Sequence, residues 1–392
     1  MVETSESKYI TYGDRSCNDF KNPKLEAIYK SSIEDKPAFF AKLAENVHWH
    51  KKFTKIIDDS DKYLHRWFPD GEINISFNCL DRHVNDGNGD LVAFYEESAY
   101  TGKKKSWTYK QVLENTARLA SVMKKQFGVE KGDRVVIYMP MVIEATFAML
   151  ACARLGAIMS VVFGGFAPKE LASRIDDSNP KLIVTASYGI EPGKNIAYPP
   201  IVEEALGFCK IENAKNIPRL IKQRPDELDG KLVYSELNEF YHDYDKLMAQ
   251  ETEQAAAVPV PSNHPLYILY TSGTTGSPKG IVRDTGGTCV ALDFCMRSVF
   301  NIHKGDVMQA MSDIGWVVGH SFIVYGPLLR CASSVFYEGK PITPNAGKTW
   351  ELCATYKSKV LYMAPTGLRI IKKLDYEGEY VKKYDLSHLE SF

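Results

Sequence analysis

The sequence predicts an α/β fold in which parallel sheets are flanked by helices. An apolar run at residues 135–139 ends at Pro140 and is typical of a buried strand. Residues 142–155 have the apolar spacing of a helix, Gly156 follows that helix, and residues 158–163 form a second strand-like run. Strands that alternate with helices form parallel sheets covered on both faces, because each crossover helix returns the chain to the same edge.

The flanking segments extend this pattern. Thr108 and Gln111 have the spacing of a capping box and predict a helix that ends at Gly128. Further strands are predicted at 92–95, 182–185, 308–312 and from 360, and further helices from 168, 285 and 366. Residues 25–59 read as helical, 188–194 as a loop, and the charge-rich stretch 218–261 as a largely helical connector.

Composition limits the classes of function. The 392 residues carry a formal net charge of −1, which gives no electrostatic footprint for nucleic acid or an anionic membrane. The 8 cysteines are scattered without a C-x-x-C pair, so free thiols are expected. No apolar run reaches the roughly 20 residues of a membrane span, and residues 1–7 resemble neither a secretory signal nor a transit peptide. We therefore expect the cytoplasm or the mitochondrial matrix, with an oligomeric state that the sequence leaves open.

A glycine- and hydroxyl-rich loop follows the apolar run 266–270. Glycine lets the backbone approach a ligand closely, while hydroxyl and N–H groups donate to phosphate oxygens and a lysine adds a cation. The loop is not a Walker A motif, because Gly280 follows its lysine, and a flexible linker is the less favoured alternative. The predicted polyphosphate site comprises Thr271, Ser272, Gly273, Thr274, Thr275, Gly276 and Lys279.

Other patterns carry weaker signals. In the segment 313–321, apolar residues lie between glycines beside Asp313 and His320, which favours a pocket for a small aliphatic acid over a buried turn. The pair Gly164-Gly165 is better explained as a tight turn. The three histidines His48, His50 and His83 lack the spacing of metal ligands, so packing or surface roles are favoured and no metal site is expected.

The loop Tyr-Thr-Ser-Gly-Thr-Thr-Gly-Ser-Pro-Lys-Gly resembles the signature of the adenylate-forming, AMP-forming enzymes. The strings Asn-Cys-Leu-Asp-Arg-His at 78–83 and Asp-Ile-Gly-Trp-Val-Val-Gly-His-Ser at 313–321 resemble the short-chain acyl-CoA synthetases of the acetyl and propionyl type. The resemblance runs from about residue 25 to 392. It implies the large N-terminal domain of that fold, ended before its completion, with ATP, CoA, Mg²⁺ and a small carboxylate as ligands.

The resemblance also implies roles for individual residues. The glycine- and hydroxyl-rich loop would hold the ATP phosphates, and Trp316 would lie by the CoA thiol. Acetyl-type enzymes carry Thr where this chain has Val318, which implies propionate as the substrate. The residues implied to contact CoA are Glu191, Pro192, Gly193 and Lys194, although Lys194 from its chemistry alone is equally well a solvated lysine, and the acyl wall is Trp316, Val317, Val318 and Gly319.

The expected organisation is an N-terminal acyl-CoA synthetase extension at 1–85 and an incomplete AMP-binding domain at 86–392, without the small C-terminal domain. The resemblance implies that the adenosine motifs and the catalytic lysine are absent from these residues. We therefore assign no catalytic residue, and we expect the 392-residue chain to be incomplete for catalysis. The rival interpretations are an adenylation domain that loads a carrier protein and a non-catalytic, truncated nucleotide-binding fragment.

Overall fold

The structure is a computed structural model that describes residues 23–271 and 278–392. Within these ranges the helices are α1 (Pro23–Glu34), α2 (Lys36–Ala44), α3 (Tyr109–Phe127), α4 (Ile143–Leu155), α5 (Pro168–Ser178), α6 (Tyr198–Phe208), α7 (Tyr244–Gln250), α8 (Thr285–Ser298), α9 (Val317–Gly319), α10 (Gly326–Leu329), α11 (Lys348–Tyr356) and α12 (Pro365–Leu374). None of these helices is both long enough and apolar enough to cross a bilayer.

The strands of the same ranges are β1 (Ile57–Asp58), β2 (Arg66–Trp67), β3 (Glu72–Ile73), β4 (Val92–Ser98), β5 (Lys104–Thr108), β6 (Arg134–Met139), β7 (Ile158–Phe163), β8 (Leu182–Ala186), β9 (Tyr188–Glu191), β10 (Lys194–Ala197), β11 (Arg219–Lys222), β12 (Tyr241–Asp243), β13 (Val260–Pro261), β14 (Pro265–Thr271), β15 (Lys279–Asp284), β16 (Val307–Met311), β17 (Ser333–Glu338) and β18 (Val360–Met363).

The chain divides into two compact units after Glu45. In the first unit, α2 begins where the Asp35 carboxylate accepts a hydrogen bond from the Ala38 N–H at 3.0 Å. The prediction of helix for 25–59 is correct up to Ala44 and wrong beyond it. In the second unit the N–H of His50 bonds to the Glu72 carbonyl, and the carboxylate of Asp70 accepts the Thr54 N–H. Tertiary partners therefore take the donors that a helix would need.

The second unit contains a large sheet, which we define by its strand order β12-β11-β8-β6-β7-β14-β15 in the described residues. All neighbours are parallel except β14 and β15. The predicted strand–helix–strand unit is confirmed as β6, α4 and β7, with Gly156 capping α4 at a φ of +72°. The α/β prediction is confirmed, because helices cross over between the parallel strands.

A small sheet has the order β18-β16-β17-β4-β5 among the described strands. Its strands are parallel except at β4 and β5, which form an antiparallel pair. The capping box of Thr108 and Gln111 opens α3 as predicted, and Gly128 closes it at a φ of +62°. The predicted strands at 92–95, 308–312 and from 360 are all confirmed within this sheet.

The charge-rich stretch 218–261 is not the predicted helical connector. It contributes β11 to the interior of the large sheet and β12 to its edge, and α7 is its only α-helix, all within the described range. The guanidinium of Arg219 is fully buried and bonds to the carbonyls of Lys215 (2.6 Å) and Ile217 (2.8 Å) and to Glu203 (3.0 Å). Because these partners satisfy its charge, a basic residue occupies an interior strand that composition alone would not predict.

Two further segments form hairpins. Residues 188–194, predicted as a loop, belong to the antiparallel pair β9 and β10, whose turn contains Gly193 at a φ of +80°. The strand β15 was not predicted, and it pairs with β14 in antiparallel register from Pro265↔Asp284 to Thr271↔Lys279. The glycine- and hydroxyl-rich loop therefore connects two strands of one hairpin, although residues 272–277 themselves lie outside the described residues.

Candidate functional site

A cavity of about 290 Å³ lies where the carboxyl ends of strands from the two sheets meet. In open α/β sheets this is the edge at which ligands bind. The walls come from the segments after β6 and β7, from the β9–β10 hairpin and from the ends of β16 and β17. Its lining residues are Tyr100, Pro140, Met141, Phe163, Gly164, Gly165, Gly189, Ile190, Glu191, Ile196, Tyr198, Ala310, Met311, Ser312, Asp313, Tyr337, Glu338, Gly339, Lys340 and Pro341.

The Gly164-Gly165 pair forms the turn after β7 and part of the cavity wall. The Tyr138 hydroxyl donates to the carbonyls of Gly164 (3.2 Å) and Phe166 (2.9 Å), which ties this turn to β6. A Cβ atom on Gly164 would lie 2.2 Å from the Tyr198 hydroxyl oxygen and 3.1 Å from the Met139 carbonyl oxygen. Glycine is therefore required by the close packing of the turn, and the same turn borders the cavity.

The β9–β10 hairpin brings only part of its predicted site to the cavity. Glu191 lines the cavity, and its carboxylate lies 2.5 Å from the ammonium of Lys340. Pro192 and Gly193 form the exposed turn. Lys194 is also exposed and is not among the residues lining the cavity. Of the predicted CoA-contacting residues, the structure therefore places Glu191 at the cavity and the other three beside it.

Asp313 contributes a carboxylate to the cavity from the end of β16. The pKa of its carboxyl group is raised to about 6, chiefly by burial; the Gly315 N–H, which donates to it at 2.7 Å, opposes the shift, and the negative charge of Glu191 adds to it. This carboxyl group thus titrates near neutral pH. A Cβ on Gly315 would lie 2.6 Å from the Phe163 Cα, so this glycine allows the segment to rest directly on β7.

The predicted acyl wall, Trp316 to Gly319, lies beside the cavity. None of its four residues is among the described residues that line the cavity. The ring of Trp316 packs against Phe163, with centroids 5.5 Å apart, and is 45% exposed, while Val317 is 40% exposed. Val318 is half-buried in the same short helix, α9. Gly319 is buried, and a Cβ there would lie 2.2 Å from the Asp313 carbonyl oxygen. These residues form a partly open apolar surface next to the cavity.

His320 lies in the core. Its side chain is fully buried, and its Nδ1–H donates to the Trp316 carbonyl at 3.0 Å. Burial lowers its pKa to about 4, so the imidazole is neutral at pH 7. The ring packs on Tyr267, with centroids 4.8 Å apart. His320 therefore joins the segment 313–321 to β14, the strand that leads to the glycine- and hydroxyl-rich loop.

Thr271 and Lys279 pair across the β14–β15 hairpin, and both are exposed. The other predicted phosphate ligands, Ser272, Gly273, Thr274, Thr275 and Gly276, lie outside the described residues. The loop end of the hairpin is tied to α5, because the Tyr270 hydroxyl donates to the Asp177 carboxylate at 2.6 Å. Neither Thr271 nor Lys279 is among the residues that line the cavity.

A charge cluster at the end of β17 was not predicted from the sequence. Glu338 lines the cavity, and Arg224 holds its carboxylate through two contacts of 2.8 Å each. The Ser98 hydroxyl donates to the same carboxylate at 2.7 Å. Burial lowers the pKa of the Arg224 guanidinium, but the negative charges of Glu338 and Glu227 outweigh burial and raise this pKa above its usual value. The sequence does contain one indication of this cluster. The strand-like run 333–338 is followed by Gly339 and Lys340, just as the strand-like run 308–312 is followed by Asp313.

Comparison with known proteins identifies the family to which the sequence is similar. The family model described as "AMP-binding enzyme" matches residues 81–392, and the model described as "Acetyl-coenzyme A synthetase N-terminus" matches residues 25–79. The human protein "Acyl-CoA synthetase short-chain family member 3, mitochondrial" is 45% identical over 380 residues, which are 97% of this chain and 54% of the relative. The "Acetyl-coenzyme A synthetase" of Herminiimonas arsenicoxydans is 41% identical over 366 residues, or 93% of this chain and 54% of the relative.

This chain therefore spans about half the length of the curated relatives that it matches. The resemblance drawn from the loop and from the strings at 78–83 and 313–321 is confirmed by both family models and by these relatives. The chain belongs to the AMP-binding enzyme family, with an N-terminal segment of the acetyl-coenzyme A synthetase type.

Proposed function

We propose that this protein takes part in the ATP-dependent activation of a short-chain carboxylate to an acyl-adenylate and then to acyl-CoA, with release of pyrophosphate and AMP. One observation carries the proposal: a single cavity is lined by the Gly164-Gly165 turn, by Glu191 of the hairpin and by Asp313 of the segment 313–321. The last two belong to segments that resemble those of short-chain acyl-CoA synthetases. The names of the relatives, an acyl-CoA synthetase and an acetyl-coenzyme A synthetase, support the same reaction class.

In this proposal ATP binds at the β14–β15 hairpin, and CoA binds at the cavity. The phosphates of ATP would contact Lys279 and the loop residues Thr271, Ser272, Gly273, Thr274, Thr275 and Gly276. Mg²⁺ would be held chiefly by phosphate oxygens, as is usual for this ion. Among the described residues, no group of three or more His, Cys, Asp or Glu could hold a metal ion. CoA would contact Glu191, Pro192, Gly193 and Lys194 at the mouth of the cavity.

We propose propionate as the carboxylate. The partly open apolar surface of Trp316, Val317, Val318 and Gly319 would contact the acyl chain, and Val318 offers a methyl group where acetyl-type enzymes offer a hydroxyl. An apolar side chain at this position favours one more methylene, a difference of about 1–3 kcal/mol. We also propose that the N-terminal extension ends at residue 85, where the AMP-binding domain begins. The reaction is proposed to take place in the mitochondrial matrix or the cytoplasm. The word "mitochondrial" in the printed name of the human relative supports the former.

Equilibrium binding to the 392-residue chain tests the proposal. Calorimetry with Mg·ATP and, separately, with CoA is expected to show saturable binding of both. Lys279→Ala is expected to weaken Mg·ATP about tenfold, because one charge-assisted contact to a phosphate is lost. The matched control is Lys382→Ala, an exposed lysine paired with Glu379 at 2.9 Å.

The outcomes separate the candidate functions. Binding of Mg·ATP without CoA would favour the rival in which an adenylation domain loads a carrier protein. Binding of neither ligand to a folded sample would contradict the proposal. Wild-type affinity for Mg·ATP in Lys279→Ala would remove that lysine from the phosphate site.

A further inference from the structure

The cavity carries an uneven set of charges. Three carboxylates line it, those of Glu191, Asp313 and Glu338, and Lys340 is the only Lys, Arg or His among its described lining residues. Arg224 neutralises Glu338 through a bidentate pair. An anionic group that approached the cavity would therefore meet one available cation, Lys340, and that cation is already paired with Glu191 at 2.5 Å.

The Glu191–Lys340 pair lies at the mouth of the cavity. The side chain of Lys340 is 54% exposed and that of Glu191 is 36% exposed, although both also line the cavity. Exposed ion pairs contribute little to stability, because water screens the charges and both side chains lose freedom. Exchanging one anionic partner of Lys340 for another therefore costs little.

The pair also joins two separate parts of the fold. Glu191 ends β9, which pairs with β10 and with no other strand in the described part of the chain. Lys340 follows β17 of the small sheet. Lys194, the cation that the sequence suggested for a CoA phosphate, is exposed on β10 and does not line the cavity. The geometry thus assigns the cavity's cation to a different element from the one the sequence indicated.

We propose that Lys340 is the phosphate-binding cation of the cavity, and that Glu191 is a built-in competitor that a phosphate of the incoming ligand displaces. The inference rests on the proposed function, since it takes CoA as the ligand. A phosphate carries more charge than a carboxylate and presents several acceptor oxygens to the ammonium group, so it is the stronger partner. Binding of CoA would break the Glu191–Lys340 ion pair and uncouple the hairpin from the end of β17, while Glu191 would stay beside the ligand at the mouth of the cavity.

The test is calorimetric binding of CoA to the 392-residue chain and its variants. Lys340→Gln is expected to weaken CoA binding about fivefold to tenfold, because a partly exposed charged contact is lost. Glu191→Gln is expected to strengthen CoA binding about threefold, because Lys340 no longer has a resident anion. The opposite signs of the two effects are the signature of competition. Lys382→Gln and Glu379→Gln, which break an exposed pair away from the cavity, are the matched controls and are expected to leave affinity unchanged.

Truncated ligands identify the phosphate. If the effect of Lys340→Gln vanishes with 3′-dephospho-CoA, the 3′-phosphate is the partner of Lys340, and if it persists, the diphosphate is. Pantetheine, which has no phosphate, is expected to bind Lys340→Gln and the wild type equally, and a difference between them would contradict the proposal.

Three results would overturn the inference. If both single variants weaken CoA binding and the double swap Glu191→Lys with Lys340→Glu restores it, the pair is a structural tie and not a competitor. If the wild type binds CoA and neither variant changes its affinity, Lys340 is not the anchor and the proposed function stands. A folded wild type that does not bind CoA would refute the proposed function together with this inference.

Discussion

The buried pair of Arg224 and Glu338 gives a prediction about the wall of the cavity. Their side chains are 2% and 9% exposed, and the carboxylate of Glu338 faces the cavity. Arg224→Met keeps the apolar length of the side chain but leaves the carboxylate with the Ser98 hydroxyl at 2.7 Å. Removing one partner of a buried ion pair costs about 3–5 kcal/mol, because the other charge stays desolvated and uncompensated. We expect the free energy of unfolding to fall by that amount.

Urea unfolding followed by circular dichroism at pH 7 measures this loss. The double variant Arg224→Met with Glu338→Gln is expected to recover part of it, because the side chain at position 338 is then neutral and can still bond to Ser98, while Glu227 still lacks its partner Arg224. Lys382→Met, which breaks an exposed pair, is the control and is expected to cost less than about 1 kcal/mol. A loss below about 1 kcal/mol for Arg224→Met, or a double variant less stable than the single one, would refute this reasoning.

Three further predictions concern the segment 313–321. Because folding raises the pKa of Asp313 from 3.8 to about 6, the protonated carboxyl group contributes stability that is present below pH 4 and is lost as the pH rises through 6. Between pH 4 and pH 7, urea unfolding should show the wild type losing up to about 3 kcal/mol of unfolding free energy relative to Asp313→Asn. An equal pH dependence of the two proteins would contradict this prediction. Gly319→Ala places a Cβ 2.2 Å from the Asp313 carbonyl oxygen, so the free energy of unfolding should fall by about 1–3 kcal/mol and CoA should bind more weakly. Unchanged stability together with unchanged CoA affinity would argue against the close packing. Val318→Thr should shift the preference between the propyl and ethyl esters of AMP towards ethyl by roughly 10-fold or more, as calorimetry would measure, and an unchanged ratio would remove Val318 from the acyl wall.

Much of the fold could be predicted because local signals and tertiary packing agree. The run from β6 to β8 consists of apolar strands and of helices closed by left-handed residues, such as Gly156 at a φ of +72°. The capping box of Thr108 and Gln111 fixes the start of α3 by contacts within four residues. In these regions the short-range pattern already contains the determinants of the structure.

Elements that depend on distant partners could not be predicted. The strand β11 holds Arg219, whose burial depends on Glu203 and on carbonyl groups outside the strand. The strand β15 exposes almost every side chain, so it shows no apolar alternation, and only its pairing with β14 defines it. Patterns of period two or 3.6 carry no information about such contacts.

The sequence indicated which segments contribute to the candidate site, but it did not indicate how these segments meet in space. The glycine-flanked segment around Asp313 indicated a pocket from its residues alone, whereas a ligand role for the segment around Glu191 was implied only by the resemblance to short-chain acyl-CoA synthetases. The third wall, with Glu338 and Lys340, comes from the small sheet, and nothing local indicates that the carboxyl ends of β7 and β17 meet there. The ion pair between Glu191 and Lys340 is a consequence of that meeting.

A crystal structure of the 392-residue chain with CoA would show directly whether one cavity brings together the segments that resemble those of short-chain acyl-CoA synthetases. Electron density for CoA is expected within the cavity of about 290 Å³, between the Gly164-Gly165 turn and Glu191, with the arm directed towards Asp313. CoA bound at another surface, or an empty cavity at a ligand concentration that saturates binding in solution, would contradict the account.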